Sequence, residues 1–169
     1  MNVPSLNFAF LEPHDLQLVR LGALAERYFA DDPSTSLIKL RQFGELLAQL
    51  VAARAGLFEP GESQADRLRR LRLEGVLPRE AAELFHQIRV AGNRAAHQAA
   101  GDHVEALALL KLARQLGVWF HRTFADQAFA PGAFVLPADP AAATALLQAE
   151  LDRLRQELHE SRSAAERAH

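Results

Sequence analysis

Apolar residues along this chain recur every three or four positions, the period of an amphipathic helix, and the strict alternation of a half-buried strand is almost absent. Pro13 suits a first helical turn, and beyond it Leu16, Val19, Leu21, Ala23, Leu24 and Tyr28 trace one stripe that Asp31-Asp32-Pro33 breaks. Ser34 or Thr35 can cap the next segment, where Leu37, Leu40, Phe43, Gly44, Leu47, Leu50 and Val51 fall at spacings of three and four and Gly56 closes the helix. Its opposite face is also rich in Ala and Leu, which predicts a central helix buried on most sides.

Ser63 then opens a short basic helix that Gly75 ends. Pro78 stands at the first turn of a further helix through His97, with Glu80 and Glu83 near its positive N-terminal end. Gly101-Asp102 separates it from another amphipathic helix running to Phe124. Pro131, Gly132, Pro137 and Pro140 mark an extended linker. Leu147, Leu151, Leu154 and Leu158 follow, four and three apart on a polar background, a seam of about two to three heptads. The expected organisation is all-α: a helical bundle over 1–126, a Pro-rich linker over 127–140, and a charged, heptad-patterned helix over 141–169. The bundle reads as complete and the last helix ends without a clear cap, as the N-terminal module of a longer protein would.

Composition narrows the function classes. With 169 residues the chain has room for one ordinary domain, and its 49% hydrophobic content excludes disorder of the whole. Cys is absent, so there is no disulfide frame, thiolate zinc site or cysteine nucleophile. The net charge of -2 disfavours a globally basic nucleic-acid binder but leaves room for a local basic face. No run approaches the about 18–20 apolar residues of a membrane span. Glu12 and Asp15 stand where a secretory leader would be positive, so the cytoplasm is the expected compartment.

The motif search is mostly negative: no phosphate-cradling G-x-x-x-x-G-K-[ST], no G-x-G-x-x-G, no H-E-x-x-H and no G-x-S-x-G. Two constellations stand out. Arg67, Arg69, Arg70 and Arg72 form a basic cluster able to grip phosphates, although such a run is more often a solvated helix face. Arg89, Asn93 and His97 lie four apart on one helical face, where a guanidinium and an imidazole could act on a phosphodiester. The commoner role of Asn93 and His97 in a bundle is to satisfy neighbouring polar groups, with Gly92 permitting close helix approach. His14, His86, His103 and His121 have no ligand spacing, so no metal site is expected.

The stretches AERYFADDPSTSLIKLRQFGELL and IRVAGNRAAH, with the segments between and after them, resemble the N-terminal helical domain found ahead of the nuclease and helicase parts of type I restriction enzyme R subunits and related DEAD/DEAH-box proteins. The resemblance covers nearly all of residues 6–130, and the heptad tail is similar to the connector into the catalytic parts. That domain is in turn similar to the HEPN group of helical bundles, some of which are metal-independent ribonucleases. Their motif places an Arg and a polar residue ahead of a His. Here His97 fills the His position, but Gly92-Asn93 stands where Arg-Asn is expected, and Arg89 and Arg94 lie too far from and too near to His97 to replace the missing Arg.

The resemblance implies a non-catalytic accessory module that docks subunits or contacts DNA. Its parent would be an ATP- and Mg2+-dependent restriction translocase working with methylation and specificity subunits, and no cofactor is expected in these residues. Two other readings stand beside it: a divergent ribonuclease using His97 with Arg89, Asn93 or Arg94, and a helical dimerisation module.

Overall fold

The computed structural model describes residues 4–98, 101–137 and 140–167, the side chains of 140–147 and 166–167 excepted. A 3-10 turn at Ala9–Leu11 precedes six helices: α1 (Leu16–Tyr28), α2 (Pro33–Arg54), α3 (Gln64–Leu73), α4 (Arg79–Gln98), α5 (His103–Phe124) and α6 (Pro140–Arg167). The described residues contain no strand, so the fold is all-α. They divide into two units, 1–137 and 138–169. No described helix is long and apolar enough to cross a membrane.

Local chemistry sets the helix ends. The Asp15 carboxylate accepts from the Gln17 amide at 2.7 Å, so α1 begins after Asp15 and Pro13 belongs to the turn before it. Asp32, not Ser34 or Thr35, caps α2: it accepts from the Thr35 amide at 3.1 Å, and Pro33, lacking an N–H, takes the first helical position. Ser63 and Asp102 cap α3 and α5 in the same way. At the other end of α3, Gly75 adopts φ +74°, which turns the chain back into α4.

In the first unit, α2 is the hub, packing against α1, α3, α4 and α5. Leu37, Leu40, Phe43, Leu47 and Val51 are fully buried along it. Phe8, Phe85 and Phe120 are buried around them, with the Phe8 and Phe43 rings 5.1 Å apart. The central, many-sided burial expected of this helix follows from its two apolar faces.

Residues 127–137 correct the expected linker. They bind the bundle and extend the first unit to Pro137. Asn7 clamps Val135 in both directions, donating from Nδ2 to its carbonyl at 2.9 Å and accepting its amide at 2.8 Å. The Arg114 guanidinium donates to Gly132 O at 2.7 Å, and Arg122 to Phe129 O at 2.8 Å. The end of the expected linker, 138–139, lies outside the described residues.

A histidine pair closes one end of this unit. Arg54 Nη2 lies 3.1 Å from His14 Nδ1, and His14 Nε2 lies 2.8 Å from His121 Nδ1. A guanidinium can only donate, so His14 Nδ1 accepts and its Nε2–H donates to His121. Protonation of His14 would bring N–H against N–H. Burial, then the charges of His121 and Arg54, hold its pKa below the ordinary 6.5. A group with a depressed folded pKa stabilises the fold above its unfolded value and loses that contribution as pH falls. The unfolding midpoint in urea should therefore drop as pH is lowered through 6.5, and His14→Gln should flatten that part of the curve. An unchanged pH profile in the variant would refute the assignment.

Candidate nucleic-acid interface

The turn at Gly75 lays α3 alongside α4, and their facing surfaces bound an open groove of about 500 Å³. Ala65, Leu68, Arg69 and Arg72 line it from α3; Arg79, Ala82, Glu83, His86 and Arg89 line it from α4. Each set keeps helical spacing, so each is one stripe of its helix. Four guanidiniums thus line the groove with one carboxylate, Glu83, in a chain whose net charge is -2.

The four clustered arginines of α3 divide between two tasks. Arg67 turns inward and is 4% exposed, donating to Glu59 O at 2.7 Å and stacking over Phe58. Arg70 forms a two-pronged contact with Glu62, both N···O distances 2.9 Å, and also donates to Leu57 O. The Arg70 guanidinium beside it holds the Glu62 carboxyl below the usual carboxylate range. Both arginines are consumed in tying the 57–62 loop to α3, so the phosphate-gripping cluster of four reduces to Arg69 and Arg72.

Arg69 is exposed and pairs with Asp66 at 2.9 Å, an exposed ion pair of the kind that exchanges readily for another anion. Arg72 and Arg79 have no carboxylate partner among the described residues. Arg89 Nη2 lies 3.4 Å from His86 Nδ1. Sequence reasoning missed Arg79 and His86 as members of the site. Their signal was the 79, 82, 83, 86 stripe of α4 set against 65, 68, 69, 72 of α3 across a short Gly turn.

The residues considered for ribonuclease chemistry separate. Arg89 turns to His86 and the groove, Asn93 accepts from Arg41 Nη1 of α2 at 3.3 Å, and Arg94 forms an ion pair with Glu105 of α5. His97 is exposed near the end of α4. Gly92, where the motif would carry Arg, meets α2 directly: a Cβ there would lie 2.4 Å from Arg41 Cβ and 3.2 Å from Leu37 O.

A larger cleft of about 1040 Å³ lies between α4, α5 and the 127–137 strap, with Trp119 and Phe134 in its wall. Its cations are mostly engaged: Arg114 and Arg122 hold strap carbonyls, and Lys111 Nζ lies over the Phe134 ring at 5.7 Å. That cleft is the seat of the strap, whereas in the α3/α4 groove Arg72 and Arg79, the latter shared with the cleft, have no carboxylate partner among the described residues. The described residues include no group of three or more side chains arranged to hold a metal ion.

Residues 24–117, more than half of the chain, match the family described as Domain of unknown function (DUF4145). The chain belongs to that family. The DUF4145 match runs from α1 into α5 and contains every residue of the α3/α4 groove. The chain is also 35% identical over 132 residues to the type I restriction enzyme EcoKI endonuclease subunit of Escherichia coli (strain K12). That alignment covers 78% of this chain and 11% of the relative, so the chain spans about a tenth of the length of the protein it matches. No solved structure matches it.

Proposed function

We propose that this DUF4145 bundle is a non-catalytic accessory module of a type I restriction endonuclease subunit, and that it contacts the DNA backbone through the α3/α4 groove. The observation that carries the reading is the convergence of Arg69, Arg72, Arg79 and Arg89 on one open surface whose lining holds one carboxylate, Glu83, with the exposed Asp66 pairing Arg69 beside it. Guanidiniums match phosphate geometry and need no base readout, which suits a module that lets a protein ride along DNA of any sequence. The similarity to an endonuclease subunit supplies the context. In this reading the remainder of the longer protein carries ATP- and Mg2+-dependent translocation and cleavage, works with methylation and specificity subunits, and acts in the cytoplasm.

Fluorescence anisotropy with a labelled duplex tests this interface. The Arg69→Ala/Arg72→Ala/Arg79→Ala variant should bind more weakly and lower the slope of log K against log salt by about 0.9 for each phosphate that is no longer neutralised. Arg27→Ala, an exposed position on α1, serves as the control. Coincident isotherms and slopes for the triple variant and the parent chain would remove the groove from the interface.

A further inference from the structure

The second unit carries a pattern the DNA-binding reading does not use. In α6, Leu151, Leu154 and Leu158 are 41%, 48% and 59% exposed, an apolar seam uncovered along its length. Assigning Leu151 and Leu158 to heptad position a puts Leu154 at d. Leu147 continues the seam in sequence at the preceding d, its side chain lying outside the described residues. The same register places Glu150 and Glu157 at g and Arg155 and Arg162 at e. One edge of the seam is thus acidic and the other basic.

That arrangement selects both the partner and its direction. In a parallel pair, each g residue faces the e residue of the following heptad on the other chain. Two copies of this helix would therefore set Glu150 against Arg155 and Glu157 against Arg162, on both sides of the seam. Antiparallel pairing brings g to g and e to e, which would place Glu opposite Glu and Arg opposite Arg. The charges that would pair across the seam face solvent, where an ion pair within one helix is weak enough to exchange for one between helices. Glu150, Arg155 and Glu157 have side chains 52%, 75% and 58% exposed. Arg153, at c, lies along the acidic edge and bonds both Glu150 and Glu157, while Arg155 meets Asp152 at 4.0 Å and no other carboxylate among the described residues. We propose that α6 associates with a second copy of the chain as a parallel, in-register, two-stranded coiled coil, specified by the Glu150–Arg155 and Glu157–Arg162 pairs across the Leu151, Leu154 and Leu158 seam.

The full 169-residue chain tests this by sedimentation velocity across a dilution series. The parent should shift from monomer toward dimer mass with concentration. Two variants, Glu150→Arg/Glu157→Arg and Arg155→Glu/Arg162→Glu, should each self-associate roughly 10- to 100-fold more weakly, because attraction becomes repulsion at every cross-strand pair. An equimolar mixture of the two should recover association, which misfolded variants could not do. Orientation is read by a single thiol, since the chain has no Cys. Ser161→Cys occupies a d position and should cross-link to its counterpart under mild oxidation, while Ser163→Cys, on the outer face at f, should not. A monomer mass at every concentration overturns the proposal. So does a dimer that survives either charge reversal, which would run through the bundle, or equal cross-linking at positions 161 and 163, which would exclude the parallel register.

Discussion

Replacing Gly92 by arginine, which would restore the Arg-Asn-containing ribonuclease motif ahead of His97, is expected to destabilise the bundle by about 3 kcal/mol, the upper end of the usual cost of overpacking. The reason lies in the backbone, not in the guanidinium. A Cβ at residue 92 would sit 2.4 Å from Arg41 Cβ, an atom fixed directly to the α2 backbone, and 3.2 Å from the Leu37 carbonyl oxygen. Neither can swing aside as the end of a long side chain could, so α2 and α4 must move apart. The cores of both helices are interlocked there, with Leu37, Leu40, Phe85 and Ile88 all buried. Gly92→Ala should carry much of the same loss, since it introduces the offending atom alone. Urea unfolding of the two variants checks this, and an alanine variant as stable as the parent would sink it. The same close approach bears on chemistry: the position the motif reserves for its arginine is occupied by helix–helix packing, and Asn93 is spent on Arg41.

The parts of this fold that were legible in the sequence are those set by local periodicity. The stripes of α2, α4 and α5 follow from apolar residues three and four apart, and Gly75 and Ser63 mark the two ends of α3 by their own conformational and hydrogen-bonding chemistry. Competition between neighbours is harder to read. At the start of α2, three residues could cap, and Asp32 wins because Pro33 fits the first helical position just behind it. The strap was illegible for a different reason. A segment holding Pro131 and Pro137 has no periodicity, and its anchor, Asn7, lies 128 positions away from Val135. The arginine cluster shows the same limit: nothing local distinguishes Arg67 and Arg70, which turn to the carbonyls of the 57–62 loop, from Arg69 and Arg72, which face the groove. A groove between two helices is a property of their packing, and only the stripe on each helix is written in the chain.

Glu26→Gln should cost about 1–3 kcal/mol, the penalty for leaving a buried polar group unsatisfied, although it removes a buried charge and changes almost no volume. Glu26 is 6% exposed. One carboxylate oxygen accepts from Ser5 Oγ at 2.7 Å and from the Leu6 amide at 3.2 Å, and the other accepts from Asn7 Nδ2 at 2.7 Å. The Asn7 amide cannot turn over, because Val135 N–H requires Oδ1 on its far side. Both ends of residue 26 must therefore accept, and glutamine offers one acceptor and one donor. Whichever way its amide is set, an N–H of Asn7 or Leu6 faces another N–H. A protonated glutamic acid escapes this, since its hydroxyl oxygen still accepts from Leu6 while donating to Ser5. Burial pushes the Glu26 pKa above 4.5, the hydrogen bonds from Ser5, Asn7 and Leu6 opposing it. A raised folded pKa contributes stability that is full below the unfolded value and is lost as pH rises through the folded one. The stability gap between the parent and Glu26→Gln should therefore widen as pH is lowered from 7 toward 4.5. Because Asn7 links this carboxyl to Val135, the variant should also release the strap, seen as faster amide exchange at Val135 than at Leu47 in the core. Equal stability of the two proteins at both pH values would show that the Ser5, Asn7 and Val135 network does not hold the strap in place.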